Sequence, residues 1–321
     1  MCTPAAYSVN PITIAVQGSG GNETSTLIFQ VRDASGQPIS GVRTVDFAID
    51  GGPNGGEYIY PTFAPTAAEA LATTHLNSGT ISGPVRIVAQ VQGTNISSGP
   101  VQIAIVSGPP DPAHFTVVTA KLNLYALGIA GVTDQITAFV GDKYGNPVLD
   151  GTSVWFTTAC GIIQPGSGTT GEGITSNTLV SCAPWPDTGF FWVQGWTIDG
   201  YGDIIQDSTR ILWSGNSYLL LSPTSFNIPN GGSENFTITV CDVNKNPLTE
   251  GTTISVSADA GELRGETSTL IPDTQSRAWT SFQFQLMDDK PDTIALRSCR
   301  LTVNLTSPNG NKNRTIYGSI Y

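Results

Sequence analysis

One block occurs three times in this chain. Val31-Arg32-Asp33-Ala34-Ser35-Gly36-Gln37-Pro38-Ile39-Ser40-Gly41 returns as Val140-Gly141-Asp142-Lys143-Tyr144-Gly145-Asn146-Pro147-Val148-Leu149-Asp150-Gly151, and again as Val240-Cys241-Asp242-Val243-Asn244-Lys245-Asn246-Pro247-Leu248-Thr249-Glu250-Gly251. The aspartates Asp33, Asp142 and Asp242 fall roughly 100 residues apart, the length of one two-sheet β sandwich. Repetition at that period divides the chain before any local reading begins.

The physics of the unit is local. Apolar residues alternate on the way in: Leu27, Phe29, Val31; Ile136, Ala138, Val140; Phe236, Ile238, Val240. A period of two is the mark of a strand with one face buried. Within the block, Asp bonds backbone two residues on, Gly accepts positive φ, and Pro fixes the exit. Alternation then resumes at Val45, Phe47, Ile49; at Val154, Phe156; and at Ile254, Val256. Each copy therefore reads as strand, tight connection, strand.

No long segment shows the i, i+3, i+4, i+7 apolar spacing of an amphipathic helix, and 36 Gly and 21 Pro punctuate the chain of 321 residues. The expectation is an all-β protein: three tandem sandwiches in an elongated array, at 1–107, 108–215 and 216–321. Gly108-Pro109-Pro110-Asp111-Pro112 makes the first joint short and stiff. Only 12% of residues are charged, and the net charge is −11. That balance offers no basic stripe for nucleic acid. No apolar run reaches the length of a membrane span.

The recurring block, with its apolar lead-in and its exit of Pro, an aliphatic residue and then Gly, resembles the bacterial immunoglobulin-like domains of the invasin/intimin type (the Big-1 group). Val154-Trp155-Phe156 and the ending Gln102-Ile103-Ala104-Ile105-Val106-Ser107-Gly108-Pro109-Pro110 fit the same pattern. The third unit departs from it with Lys245 where the others have Gly36 and Gly145, which bears on its turn geometry. The resemblance implies a non-enzymatic stalk or adhesive protein outside a bacterial cell. Its partners would be other surface proteins or copies of itself, and it brings no catalytic residues. A subunit of an extracellular filament is the alternative of the same class.

Candidate sites are few. In the second unit, matching Phe191 and Val193 to inward positions leaves Trp192, Gln194 and Trp196 on one outward face. Three readings stand: a register slipped by one that buries the tryptophans, a contact with a neighbouring domain or subunit, or a platform that stacks a sugar ring. Asp142, Asn146 and Asp150 offer the oxygen donors that calcium takes, without the spacing of the EF-hand loop. His75 and His114 lie in different units, so neither a metal site nor a nucleophilic triad is supported.

Cysteines number five. Cys160 and Cys182 fall in the second unit, Cys241 and Cys299 in the third, which is the pattern of one disulfide per domain in an oxidising compartment. Two free thiols in the third unit are the alternative, because Cys241 follows the inward Val240 on the opposite parity. Cys2 is left over. It is either a free thiol or the lipid-bearing first residue of a mature bacterial lipoprotein, and only the second reading would tie the chain to a membrane.

Overall fold

The computed structural model describes residues 3–291 and 295–321. It contains six sheets in three pairs, with 54% of residues in strands and 3% in helix. The three pairs share one topology. In the first, a four-stranded sheet runs in the order Thr3–Asn10, Thr24–Arg32, Leu71–Asn77, Tyr58–Tyr60. It faces a five-stranded sheet in the order Thr13–Ala15, Val101–Val106, Gly83–Val91, Thr44–Ile49, Phe63–Pro65. The second pair orders Phe115–Thr119, Thr133–Val140, Ile174–Val180, Ile162–Gln164 against Asn123–Tyr125, Ile204–Ser214, Phe190–Ile198, Ser153–Thr158, Ser167–Thr169. The third repeats the pattern from Tyr218–Ser222 to Lys312–Ile320.

In every unit the opening segment changes sheets midway. Its first half pairs antiparallel in the four-stranded sheet, and its second half pairs parallel with the last strand: Thr13–Ala15 with Ala104–Val106, Asn123–Tyr125 with Leu212–Ser214, Phe226–Ile228 with Gly318–Ile320. Pro11 and Pro223 sit at this crossing in the first and third units. Proline has no N–H to give the ladder, so the pairing stops there. The result is the immunoglobulin-like sandwich, three times in tandem. Several outer strands are only three residues long, including Tyr58–Tyr60, Ile162–Gln164 and Ser268–Leu270, while the opening strands Thr3–Asn10, Phe115–Thr119 and Tyr218–Ser222 form the longer edges of the four-stranded sheets.

The alternating residues build three cores. Leu27, Phe29, Val45 and Ile87 are fully buried in the first, Ile136, Val154, Val193 and Ile211 in the second, and Phe236, Ile238, Leu301 and Val303 in the third or nearly so. Aromatic rings lock two of them: Phe236 stacks on Phe284 with centroids 5.0 Å apart, and Phe191 meets Trp213 edge-on at 4.5 Å.

The cysteines need a correction. Cys160, Cys182, Cys241 and Cys299 are all free thiols. Cys241 and Cys299 stand at opposite ends of their sandwich. Cys241 closes the strand Ser233–Cys241 beside Asp242, which touches the second unit. Cys299 lies near the start of Arg297–Thr306, where Arg297 meets Asp288 at the far end. About seven strand residues at ~3.3 Å each separate those levels, well beyond the ~7 Å limit between bridged Cα atoms. Cys160 and Cys182 are placed differently. Ile162 pairs with Val180, and extending that antiparallel register by two residues sets Cys160 level with Cys182. Cys2 lies outside the described residues.

Candidate functional site

Two places gather side chains that the fold alone does not require: the joints between units, and one face of the second unit.

The joints are built by the repeated block. Asp142 Oδ1 accepts from the amides of Tyr144 (2.9 Å) and Asn146 (3.0 Å), closing the turn, and Oδ2 accepts from the amide of Gly108 in the incoming linker (2.9 Å). The Asn146 side-chain amide bonds both carboxylate oxygens and also donates to the Thr80 carbonyl of the first unit (2.9 Å), while its oxygen accepts from the Ser82 amide (3.1 Å). Lys143 donates to the Gly18 carbonyl and the Tyr144 hydroxyl to that of Gln17 (2.9 Å). Asp242 and Asn246 repeat the linker bond and the carbonyl bond one unit on, though Asn246 Oδ1 has no partner among the described residues: Gly215 donates to Asp242 Oδ2 (3.0 Å), and Asn246 Nδ2 donates to the Thr188 carbonyl (2.8 Å). Asp142, Asn146, Asp242 and Asn246 are all buried, the two asparagines against the domain that precedes them.

The second joint has further ties that the sequence did not announce. Asn123 Nδ2 donates to the carbonyls of Pro247 (3.0 Å) and Leu248 (3.1 Å), and Asp273 accepts from the amides of Leu122 (2.8 Å) and Asn123 (3.0 Å). Asn309 Nδ2 donates to the Gly215 carbonyl (2.7 Å), and Lys121 pairs with Glu250. Lys121, Asn123, Asp273 and Asn309 lie far apart along the chain and outside the repeated block, so no pattern linked them to it.

The three candidate calcium donors are not brought together. Asp150 is exposed, and its Oδ1 accepts from the Glu172 amide, while the Asp142 carboxylate is occupied by N–H donors. Among the described residues no group of three or more His, Cys, Asp or Glu is placed to hold a metal ion.

The face on the second unit is as the alternation implies. Along Phe190–Ile198, Phe191, Val193 and Thr197 point inward while Trp192, Gln194 and Trp196 share the outer side, so the register is not slipped. Trp192 is 54% exposed. Trp196 is partly covered because Trp155, its cross-strand partner, stacks on it with centroids 4.6 Å apart and planes 16° from parallel. Trp155 belongs to this site and was missed. The signal was present, since Val154 and Phe156 point inward and force Trp155 out. Gln194 lies between Thr157 and Ser208 on the neighbouring strands. Next to it, the Trp185-Pro186-Asp187 loop walls an open groove of about 670 Å³ over Trp192 and Gln194. Burial, with the nearby Asp187 charge, pushes the Cys160 thiol on that wall above its ordinary pKa, so it stays protonated at neutral pH.

No protein-family model matches the sequence, and no curated protein sequence does either. Solved structures do match. The adhesin FdeC of Escherichia coli superimposes on 100% of this chain and 96% of its own, with a TM-score of 0.51 and 15% identity. The adhesin InvE of Yersinia pseudotuberculosis aligns over 66% of this chain and 58% of its own (TM-score 0.30, 20% identity), and invasin, a bacterial integrin-binding protein, over 99% and 60% (0.34, 18%). The chain thus spans about 60% of the latter two. What it shares with FdeC is the fold, tandem immunoglobulin-like domains along the whole length.

Proposed function

We propose that the protein is a non-enzymatic, extracellular array that holds a binding surface away from a bacterial cell. The observation that carries this reading is the repeated clasp. Each Asp–Asn pair bonds its own turn, the incoming linker and the preceding unit at once, so a single turn sets the angle between neighbours. A chain of domains with fixed angles acts as a strut, whereas domains on loose tethers collapse toward one another. The likeness to FdeC supports the same reading at the level of architecture.

Small-angle scattering on the wild type and on Asp142→Ala tests it. The wild type should give one sharp maximum dimension. The variant loses the acceptor for three backbone amides, which costs about 3 kcal/mol where they stay buried, and should broaden the distance distribution. A wild type as flexible as the variant would end the strut reading. Attachment through Cys2 is part of the proposal for the native protein. Lipid labelling that disappears in Cys2→Ser supports it, and labelling absent from the wild type removes it.

A further inference from the structure

The outer face of the five-stranded sheet in the second unit has a mixed chemistry that the strut does not need. Its rows run across the strands. Trp155, Trp196 and Gln206 form one, Thr157, Gln194 and Ser208 the next, and Trp192 and Arg210 a third. Indoles therefore stand on either side of a row of a hydroxyl, an amide and a second hydroxyl. Trp192 and Trp196 are four residues apart on one strand, about 13 Å. Leaving a large aromatic surface in water is unfavourable, and such surface on a soluble domain usually marks a contact.

We infer that this face binds a neutral, extended glycan, its sugar rings stacked on Trp192 and on the Trp155–Trp196 pair. A pyranose has an apolar C–H face and a rim of hydroxyls that both donate and accept. The indoles meet the faces. The Gln194 amide and the Thr157 and Ser208 hydroxyls meet the rim between them, and the Asp187 carboxylate on the groove wall accepts from a hydroxyl at the Trp192 end. The polar middle row argues against a protein partner, since the buried core of a protein interface is more apolar than the surface around it. The charge argues against an acidic polymer. Asp187 lies in the groove and the chain carries −11 overall. The cation of the face, Arg210, is already engaged: its guanidinium lies 4.8 Å from the Phe190 ring centre and its Nε donates to Gln275 Oε1 (2.9 Å).

The inference adds a ligand to the adhesive reading and stands apart from joint rigidity, so failure of the scattering test leaves it untouched. Affinity gel electrophoresis of the whole chain tests it, with hydroxyethyl cellulose, a soluble β-1,3-glucan, mannan and glycol chitin as neutral probes and alginate as the acidic one. At least one neutral polymer should retard the wild type, with quenching of tryptophan fluorescence. Trp192→Ala should weaken that retardation at least about tenfold. Gln194→Ala should weaken it less, and Tyr201→Ala, on an exposed turn outside these rows, should leave it unchanged. Because Trp192 is largely exposed, its loss does not threaten the fold. No retardation by any neutral probe, retardation by alginate alone, or equal retardation of Trp192→Ala would each overturn the inference.

Discussion

Lys245 shows how a single residue can strain against a turn without changing it. The turns at Gly36 and Gly145 require φ of +80°, and Lys245 takes +61° in the same place, with its amide bonded to the Asp242 carbonyl (3.1 Å) as Gly145 is bonded to that of Asp142 (2.8 Å). The doubt that the sequence raised about this turn resolves in favour of geometry: the Asp242 clasp holds a side chain where glycine is preferred. A left-handed residue with a Cβ costs roughly 1–2 kcal/mol, so Lys245→Gly should stabilise the protein by about 1 kcal/mol after glycine's extra unfolded freedom, read as a higher urea midpoint at unchanged slope. Asp134 is strained differently. It is buried, and that burial raises its carboxyl pKa despite the hydrogen bond from Thr119. A raised carboxyl binds its proton more tightly folded than unfolded, so its contribution favours the fold at low pH and is lost as pH rises from about 3.9, the ordinary value, through the folded value. Asp134→Asn should therefore melt higher than wild type at pH 7 and lose that advantage at pH 3. An equal gain at both would assign the effect to packing. Residues of this kind escape a reading of the sequence because burial, not identity, determines them.

At the scale of strands and turns, most of the fold was legible, because alternation states which side of a strand is wet. It placed Leu27, Phe29 and Val31, and it placed Trp192 and Trp196 on the outside. It misled where an element is covered from beyond its own sheet. Cys241 has outward parity yet is buried, because it ends its strand at the joint beside Asp242. The turn itself was read as a local device, Asp bonding its own backbone. Its second use, reaching the Gly108 or Gly215 amide, depends on contacts that period and propensity do not encode. This dual use bears on calcium. With both Asp142 oxygens already accepting N–H groups, a cation would have to break the turn to bind. The melting temperature of chelator-treated protein should not move when calcium is added, and a clear rise would restore the site. Cys160 and Cys182, level in the extended ladder, should by contrast form a bond under a mild thiol oxidant, seen as a loss of two hydrogens in a peptide linking them, and Cys241 and Cys299 should not.

For the molecule as a whole, the two joints follow one plan but are not equally tight. On the entering side of the first, Pro147 is exposed and Leu149 is 55% exposed; at the corresponding places in the second, Pro247 is buried and Thr249 is 6% exposed. The difference has identifiable causes. Asn123 covers the Pro247 and Leu248 carbonyls, Asp273 caps two amides of the second unit, and Asn309 bonds both Thr249 and Gly215, whereas the first joint relies on Asn146 and on the exposed Lys143 and Tyr144. Exposed hydrogen bonds open readily, while groups buried on both sides open only when the domains part. Domains 2 and 3 should accordingly move as one body, with any bending of the chain concentrated between domains 1 and 2. Hydrogen exchange measures this directly. The amides of Asn123 and Gly215 should exchange more slowly than those of Ser82 and Gly108, and Asn123→Ala should bring the first set toward the second. Equal protection at both joints in the wild type would mean that the extra ties do not hold the domains together, and that rigidity resides in the shared Asp–Asn clasp alone.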